Sequence, residues 1–166
     1  PRVPAAVRRV VGVLALWLAW LAVVQARMVG INFLLSVLAL VWAADISAYF
    51  AGRAFGLRFT KNKLAPAISP GKSWEGVWGG AVGVLLLALV WVAIDAGGYT
   101  SVPSFYTVLA RQGWWLLLLA ALFMTAMSVA GDLIESLIKR SAGVKDSSHL
   151  LPGHGGVLDR VDALLP

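Results

Sequence analysis

Apolar positions along this chain come in long blocks rather than in stripes. Four uncharged stretches lie between the nearest charges: Val10 to Ala26, Met28 to Ala44, Val77 to Ile94 and Gln112 to Gly131, each 17 to 20 residues long. A helix needs about 20 apolar residues to cross a hydrocarbon core of roughly 30 Å. The pattern therefore predicts membrane-spanning helices near residues 10–26, 28–50, 77–94 and 112–131, the second running on past Asp45. Trp17, Trp20, Trp42, Trp91, Trp114 and Trp115 lie in or at the ends of these blocks, and the Trp114-Trp115 pair suits an interfacial belt. The first block, behind Arg8-Arg9, also resembles a signal peptide, but no small-residue cleavage site followed by a soluble domain comes after it, so a span is the better reading. Between the third and fourth blocks, Asp95 to Ser104 contains Gly97-Gly98 and Pro103 and reads as a short external loop.

Composition agrees with this. The 166 residues are 60% hydrophobic and only 13% charged, against about a quarter charged in soluble domains. A soluble globule is excluded on those grounds. With no cysteine, disulfides, thiol nucleophiles and cysteine-ligated metals are excluded as well. The 14 Lys and Arg against 8 Asp and Glu give a net charge of +6, and their placement is asymmetric. Twelve basic residues fall in the leader, in the loop between the second and third spans, and in the tail; only Arg27 and Arg111 lie on the other side. Basic residues are retained on the cytoplasmic side, so four spans with the leader inside place the motif loop 53–76 and the tail 132–166 in the cytoplasm. The expected fold is all-α, a polytopic membrane helical bundle of about four transmembrane helices with a cytoplasmic helix and loop site, forming one domain over 1–166.

Ionisable residues at membrane depth are costly and hence candidates for function. Asp45 follows the second apolar run one helical turn before Tyr49, and Asp45, Tyr49 and Gly52 can share a face. A helix-end carboxylate at the water interface is the plain alternative. Asp132 closes the fourth span, and Ser128, Asp132, Glu135, Ser136, Lys139 and Arg140 recur at three- and four-residue spacing, which builds one polar helix face. An amphipathic helix end with an i,i+4 pair such as Glu135 with Lys139 would give the same spacing.

The segment that follows is denser in chemistry. KDSSHLLPGHGGVLDRVD, residues 145–162, sets Asp146, His154, Asp159 and Asp162 beside Lys145 and Arg160 around a glycine-rich turn. Glycines let the backbone approach a phosphate closely. Carboxylates beside cations suit Mg²⁺-nucleotide chemistry, in which one or two carboxylates hold the metal while phosphates and water fill the remaining positions. The loop ISPGKSWEG, residues 68–76, ends in a Gly71-Lys72-Ser73 that imitates a P-loop. It is not one, because Pro66 stands where the first glycine belongs and the apolar blocks leave no room for a preceding strand. It reads equally as an anchoring basic loop or as a polar cap over an anionic ligand.

These residues together resemble the phosphatidate cytidylyltransferase (CDP-diacylglycerol synthase) family. Ser136-Leu137-Ile138-Lys139-Arg140, then Lys145-Asp146, then Pro152 to Asp162 is similar to the family signature without mismatch at its fixed positions. Ser69-Pro70-Gly71-Lys72-Ser73-Trp74-Glu75-Gly76 looks like its SPxK[ST]xEG loop, and Asp45, Ala48, Tyr49 and Gly52 look like its DxxAYxxG element. The resemblance runs from about Val29 to Leu165. The family usually has further membrane helices before this region and an apolar segment after it, so the chain is expected to be the C-terminal catalytic portion of such an enzyme.

The resemblance implies transfer of a cytidylyl group from CTP to phosphatidate, giving CDP-diacylglycerol and pyrophosphate in phospholipid biosynthesis, with Mg²⁺ as cofactor and a monovalent cation such as K⁺ nearby. It implies Asp132 and Asp159 as the metal-binding pair. Lys145, Asp146, His154 and Arg160 join them as catalytic candidates. Asp45, Tyr49, Ser69, Lys72, Ser73, Glu75, Ser136, Lys139, Arg140, Gly155, Gly156 and Asp162 are the candidates for substrate binding. The implied setting is a bacterial-type cell membrane with the active site facing the cytoplasm, membrane lipid as a partner, no nucleic acid, and room for a homodimer. The alternatives are a CTP-dependent polyprenol or phytol kinase, which would spend CTP as a phosphoryl donor, and an inactive membrane fragment.

Overall fold

The computed structural model describes residues 4–141. Lys145, Asp146, His154, Gly155, Gly156, Asp159, Arg160 and Asp162 therefore lie outside the described residues. In chain order the elements are α1 (Ala5–Val29), α2 (Ile31–Phe55), β1 (Lys63–Ala65), β2 (Ser69–Ser73), α3 (Trp74–Ala96), α4 (Phe105–Gln112) and α5 (Trp114–Ser141). The helices α1, α2, α3 and α5 are long and apolar enough to cross a membrane, as the four blocks predict. In lipid every backbone N–H and C=O must be satisfied internally, which a continuous helix achieves. Large apolar side chains such as Leu14, Trp20, Leu86 and Phe123 stand exposed around the bundle, where hydrocarbon rather than water is the suitable solvent.

The break between the first two spans falls at Gly30 and not at Arg27. Gly30 has φ 154°, and a Cβ there would sit 2.8 Å from Val102 Cγ1, so the left-handed backbone and the close neighbour both require glycine. Past this break α2 runs for 25 residues, about 37 Å at 1.5 Å per residue. It therefore carries Arg53 and Phe55 as helix, where the sequence placed the start of a loop.

The contact between α2 and α3 is made of small residues. Gly76, Gly79, Gly80 and Gly83 form a stripe along α3 facing Ala44, Ser47, Ala48 and Ala51 of α2. A Cβ at Gly79 would lie 2.0 Å from Ala51 Cβ, and one at Gly80 would lie 3.1 Å from Ala44 O. Stripes of this kind let membrane helices approach until their backbones touch, which is where dispersion and weak hydrogen bonds become effective in lipid. Further along, Leu40, Ala44, Val84, Ala88, Tyr106, Leu117 and Ala121 form the buried apolar cluster shared by α2, α3, α4 and α5.

Two further elements are absent from the reading of the sequence. Lys63–Ala65 and Ser69–Ser73 pair as a short antiparallel ribbon with an irregularity in register. Its turn is closed by Ile68 N donating to Ala65 O, with Pro66 in the position where proline presets φ. Pro70 is tolerated because a two-stranded ribbon has only edges. On the other side of the bundle, α4 is an amphipathic helix begun by Ser104, whose hydroxyl accepts from Thr107 N.

Candidate active site

The hairpin is tied to the helices at both of its ends. On the exit side Ser73 caps α3, its Oγ accepting from Gly76 N at 3.2 Å. Gly52 of α2 lies against this cap, since a Cβ there would be 3.4 Å from Ser73 Oγ. On the entry side Glu75 Oε1 accepts from Phe59 N at 3.1 Å, from Thr60 N at 2.7 Å and from Thr60 Oγ1 at 2.8 Å. Glu75 is buried. One carboxylate thus fixes the connection that leads out of α2 into the hairpin.

Held in this way, the hairpin roofs a cavity of about 400 Å³ between α2, α3 and α5. From α2 the lining side chains are Asp45, Tyr49 and Arg53; the hairpin contributes Lys72 and Ser73; α5 contributes Asp132. Lys72 Nζ pairs with Asp132 Oδ2. Arg53 Nη1 donates to Tyr49 Oη at 3.1 Å. Asp45 and Arg53 are eight residues apart on one helix, so the charged wall of α2 reaches about 12 Å along the bundle. Two carboxylates and two cations face one volume, and such a set can take an anionic ligand together with a hard divalent cation. Among the described residues no group of three or more His, Asp or Glu side chains converges. Mg²⁺ held by one or two protein carboxylates and completed by substrate phosphates does not require such a group.

The structure brings together some of the residues singled out in the sequence and separates others. Asp45, Tyr49, Lys72, Ser73 and Asp132 share the cavity. Ser69 sits on β2 opposite Ala65, and Glu75 faces the α2-to-hairpin connection rather than the cavity. Ser136, Lys139 and Arg140 follow on the last turns of α5, where Lys139 pairs with Glu135 at 2.8 Å. Arg53 lines the cavity although its sequence position reads only as an anchoring charge; its place one turn after Tyr49 on the Asp45 face was the available signal.

A second polar cluster lies at the other end of α3. Asp95 Oδ1 accepts from Asn32 Nδ2 at 3.0 Å and Thr100 Oγ1 at 2.7 Å, while Oδ2 accepts from Ser104 N at 2.7 Å and Thr107 Oγ1 at 2.5 Å. Asn32 also donates to Val102 O and accepts from Trp91 Nε1. This carboxylate of α3 accepts from α2, from the connection that follows α3 and from the start of α4. It clamps the end of the bundle away from the cavity and is a structural centre.

The chain is similar to several known proteins. A phosphatidate cytidylyltransferase from Haemophilus influenzae is 50% identical over 135 residues, covering 81% of this chain and 42% of the relative. One from Pseudomonas aeruginosa is 45% identical over 155 residues, covering 92% of this chain and 51% of the relative. One from Bacillus subtilis is 39% identical over 136 residues, 82% of this chain and 44% of the relative. The chain spans about half the length of these relatives. The model of the cytidylyltransferase family matches residues 4–166, and the chain belongs to that family.

Proposed function

We propose that this chain transfers a cytidylyl group from CTP to phosphatidate, giving CDP-diacylglycerol and pyrophosphate. The observation that carries the reading is the convergence of Asp45, Arg53, Lys72 and Asp132 on one cavity at the ends of membrane-spanning helices, in a chain whose relatives are named for this reaction. A lipid phosphate reaches such a place from the bilayer interface, and a nucleotide reaches it from water. The twelve-to-two bias of basic residues supports a cytoplasmic face for the site.

In the reaction an oxygen of the phosphatidate phosphate attacks the α-phosphorus of CTP. The bond from that phosphorus to the bridging oxygen breaks, and pyrophosphate leaves with the electron pair. Transfer of this type depends on positioning and charge neutralisation more than on a protein nucleophile. Lys72 and Arg53 counter phosphate charge from two walls, and Asp45 and Asp132 supply the carboxylates. Mg²⁺ would be held by Asp132, with Asp159 beyond the described residues, and when bound it neutralises developing charge on the phosphate oxygens. The hard oxygen donors present fit that ion.

Product analysis tests the reading. The protein reconstituted with phosphatidate, CTP and Mg²⁺ is expected to release pyrophosphate and form CDP-diacylglycerol; release of CDP with a phosphorylated alcohol would replace it with the kinase reading.

A further inference from the structure

Arg53 stands apart from the other cation of the cavity in what holds it. Lys72 is paired with Asp132, whereas among the described residues no carboxylate pairs with Arg53. Its partner is a phenol: Arg53 Nη1 donates to Tyr49 Oη, one helical turn earlier on α2. That bond uses one of the five N–H donors of the guanidinium and holds the side chain toward Tyr49, leaving the other donors for a ligand. The side chain lies in the last turn of α2, where a cation is favoured by the helix dipole. Phe50 and Phe55 on either side are exposed, as aromatic residues are at the lipid–water boundary. The hairpin carries Lys72 on a different element, and both residues line the same volume.

From these observations we infer that Arg53, braced by Tyr49, is a phosphate subsite of its own, distinct from the Lys72–Asp132 pair, and that it takes a phosphate group of one of the two substrates. The inference rests on the proposed reaction, which requires two phosphate-bearing molecules in one cavity. An arginine fork matches phosphate oxygens in a bidentate manner that lysine does not reproduce. Arg53 contacts the ligand, and Tyr49 acts through Arg53 as a positioning residue. The phosphate belongs either to the lipid headgroup or to the nucleotide, and kinetics separates the two sources.

The experiment varies CTP and phosphatidate independently in mixed micelles. Arg53→Ala is expected to raise the KM of one substrate about tenfold, the equivalent of one charge-assisted hydrogen bond, with kcat changed by no more than about twofold. Arg53→Lys should recover part of that loss, and Tyr49→Phe should raise the same KM by a smaller factor. A shift confined to phosphatidate assigns the subsite to the lipid phosphate, and one confined to CTP assigns it to the nucleotide. Unchanged KM values, a loss in kcat alone, or equal loss for both substrates overturns the subsite. If the wild type makes no CDP-diacylglycerol, the functional reading fails by itself. The subsite is then read by equilibrium binding of CTP and of short-chain phosphatidate, where Arg53→Ala or Arg53→Lys must weaken one and spare the other, and a change in neither overturns it.

Discussion

Lys72 on the hairpin and Asp132 on α5 form an ion pair across the cavity, with 23% and 47% of their side chains exposed. The pair occupies the carboxylate proposed to hold the metal, so Lys72 and a divalent cation compete for it. Replacing Lys72 with methionine is expected to strengthen Mn²⁺ binding in the absence of nucleotide by about threefold, the scale of a partly exposed pair, while weakening CTP binding. Mn²⁺ titration followed by electron paramagnetic resonance measures the first effect; weaker or unchanged Mn²⁺ binding would contradict the competition.

Glu75 touches no part of the cavity but fixes Phe59 and Thr60. Glu75→Ala leaves two backbone N–H groups without their acceptor and releases the connection into the hairpin. A misplacement of Lys72 by about 1 Å is expected to lower kcat/KM by ten- to a hundredfold. Glu75→Gln keeps one acceptor oxygen and should lose less. Hydrogen exchange at residues 57–62 should rise in the alanine variant, and unchanged exchange with full activity would show that the anchor is dispensable.

The close approach of α2 and α3 predicts a size-specific rescue. Gly79→Ala places a methyl group against Ala51 Cβ, 2.0 Å away in the present packing, and is expected to destabilise the protein by about 1–3 kcal/mol as an overpacked contact. Combining it with Ala51→Gly returns the missing volume and should restore most of the loss. Gly71→Ala, with nothing within 4 Å of its Cβ, is the neutral control. Thermal unfolding in detergent reads all three, and equal effects from Gly79→Ala and Gly71→Ala would refute the packing account.

Asp95 accepts four hydrogen bonds at the end of the bundle opposite the cavity. Asp95→Asn replaces one acceptor oxygen with an NH2 that faces an N–H donor, Asn32 Nδ2 or Ser104 N, and is expected to cost about 2 kcal/mol of stability. Because the cluster takes no part in lining the cavity, KM for both substrates should stay near wild type. A selective rise in either KM without loss of stability would give Asp95 a role in the site.

The four spans were legible because an uncharged run of 17 or more residues has few other readings. Asp45, Tyr49 and Asp132 were legible because helical spacing puts them on shared faces near span ends. The hairpin was not: Pro66, Pro70 and Gly71 signal turns, and three- or five-residue strands leave no periodic trace. Glu75 lies within the same motif as Lys72, yet spacing does not say that one side chain faces the cavity and the other the neighbouring connection. The Asp95 clamp joins residues 63 to 70 positions apart, such as Asn32 with Asp95 and Val102, and only the packing of α2 against α3 and α4 reveals it.

The fate of the α-phosphorus tests the account most directly. With α-labelled and γ-labelled CTP in parallel, the wild-type protein is expected to place the α-label in the lipid product and release the γ-label as pyrophosphate, and Asp132→Asn to abolish the transfer. Transfer of the γ-label to lipid, or undiminished α-label transfer by Asp132→Asn, would contradict it.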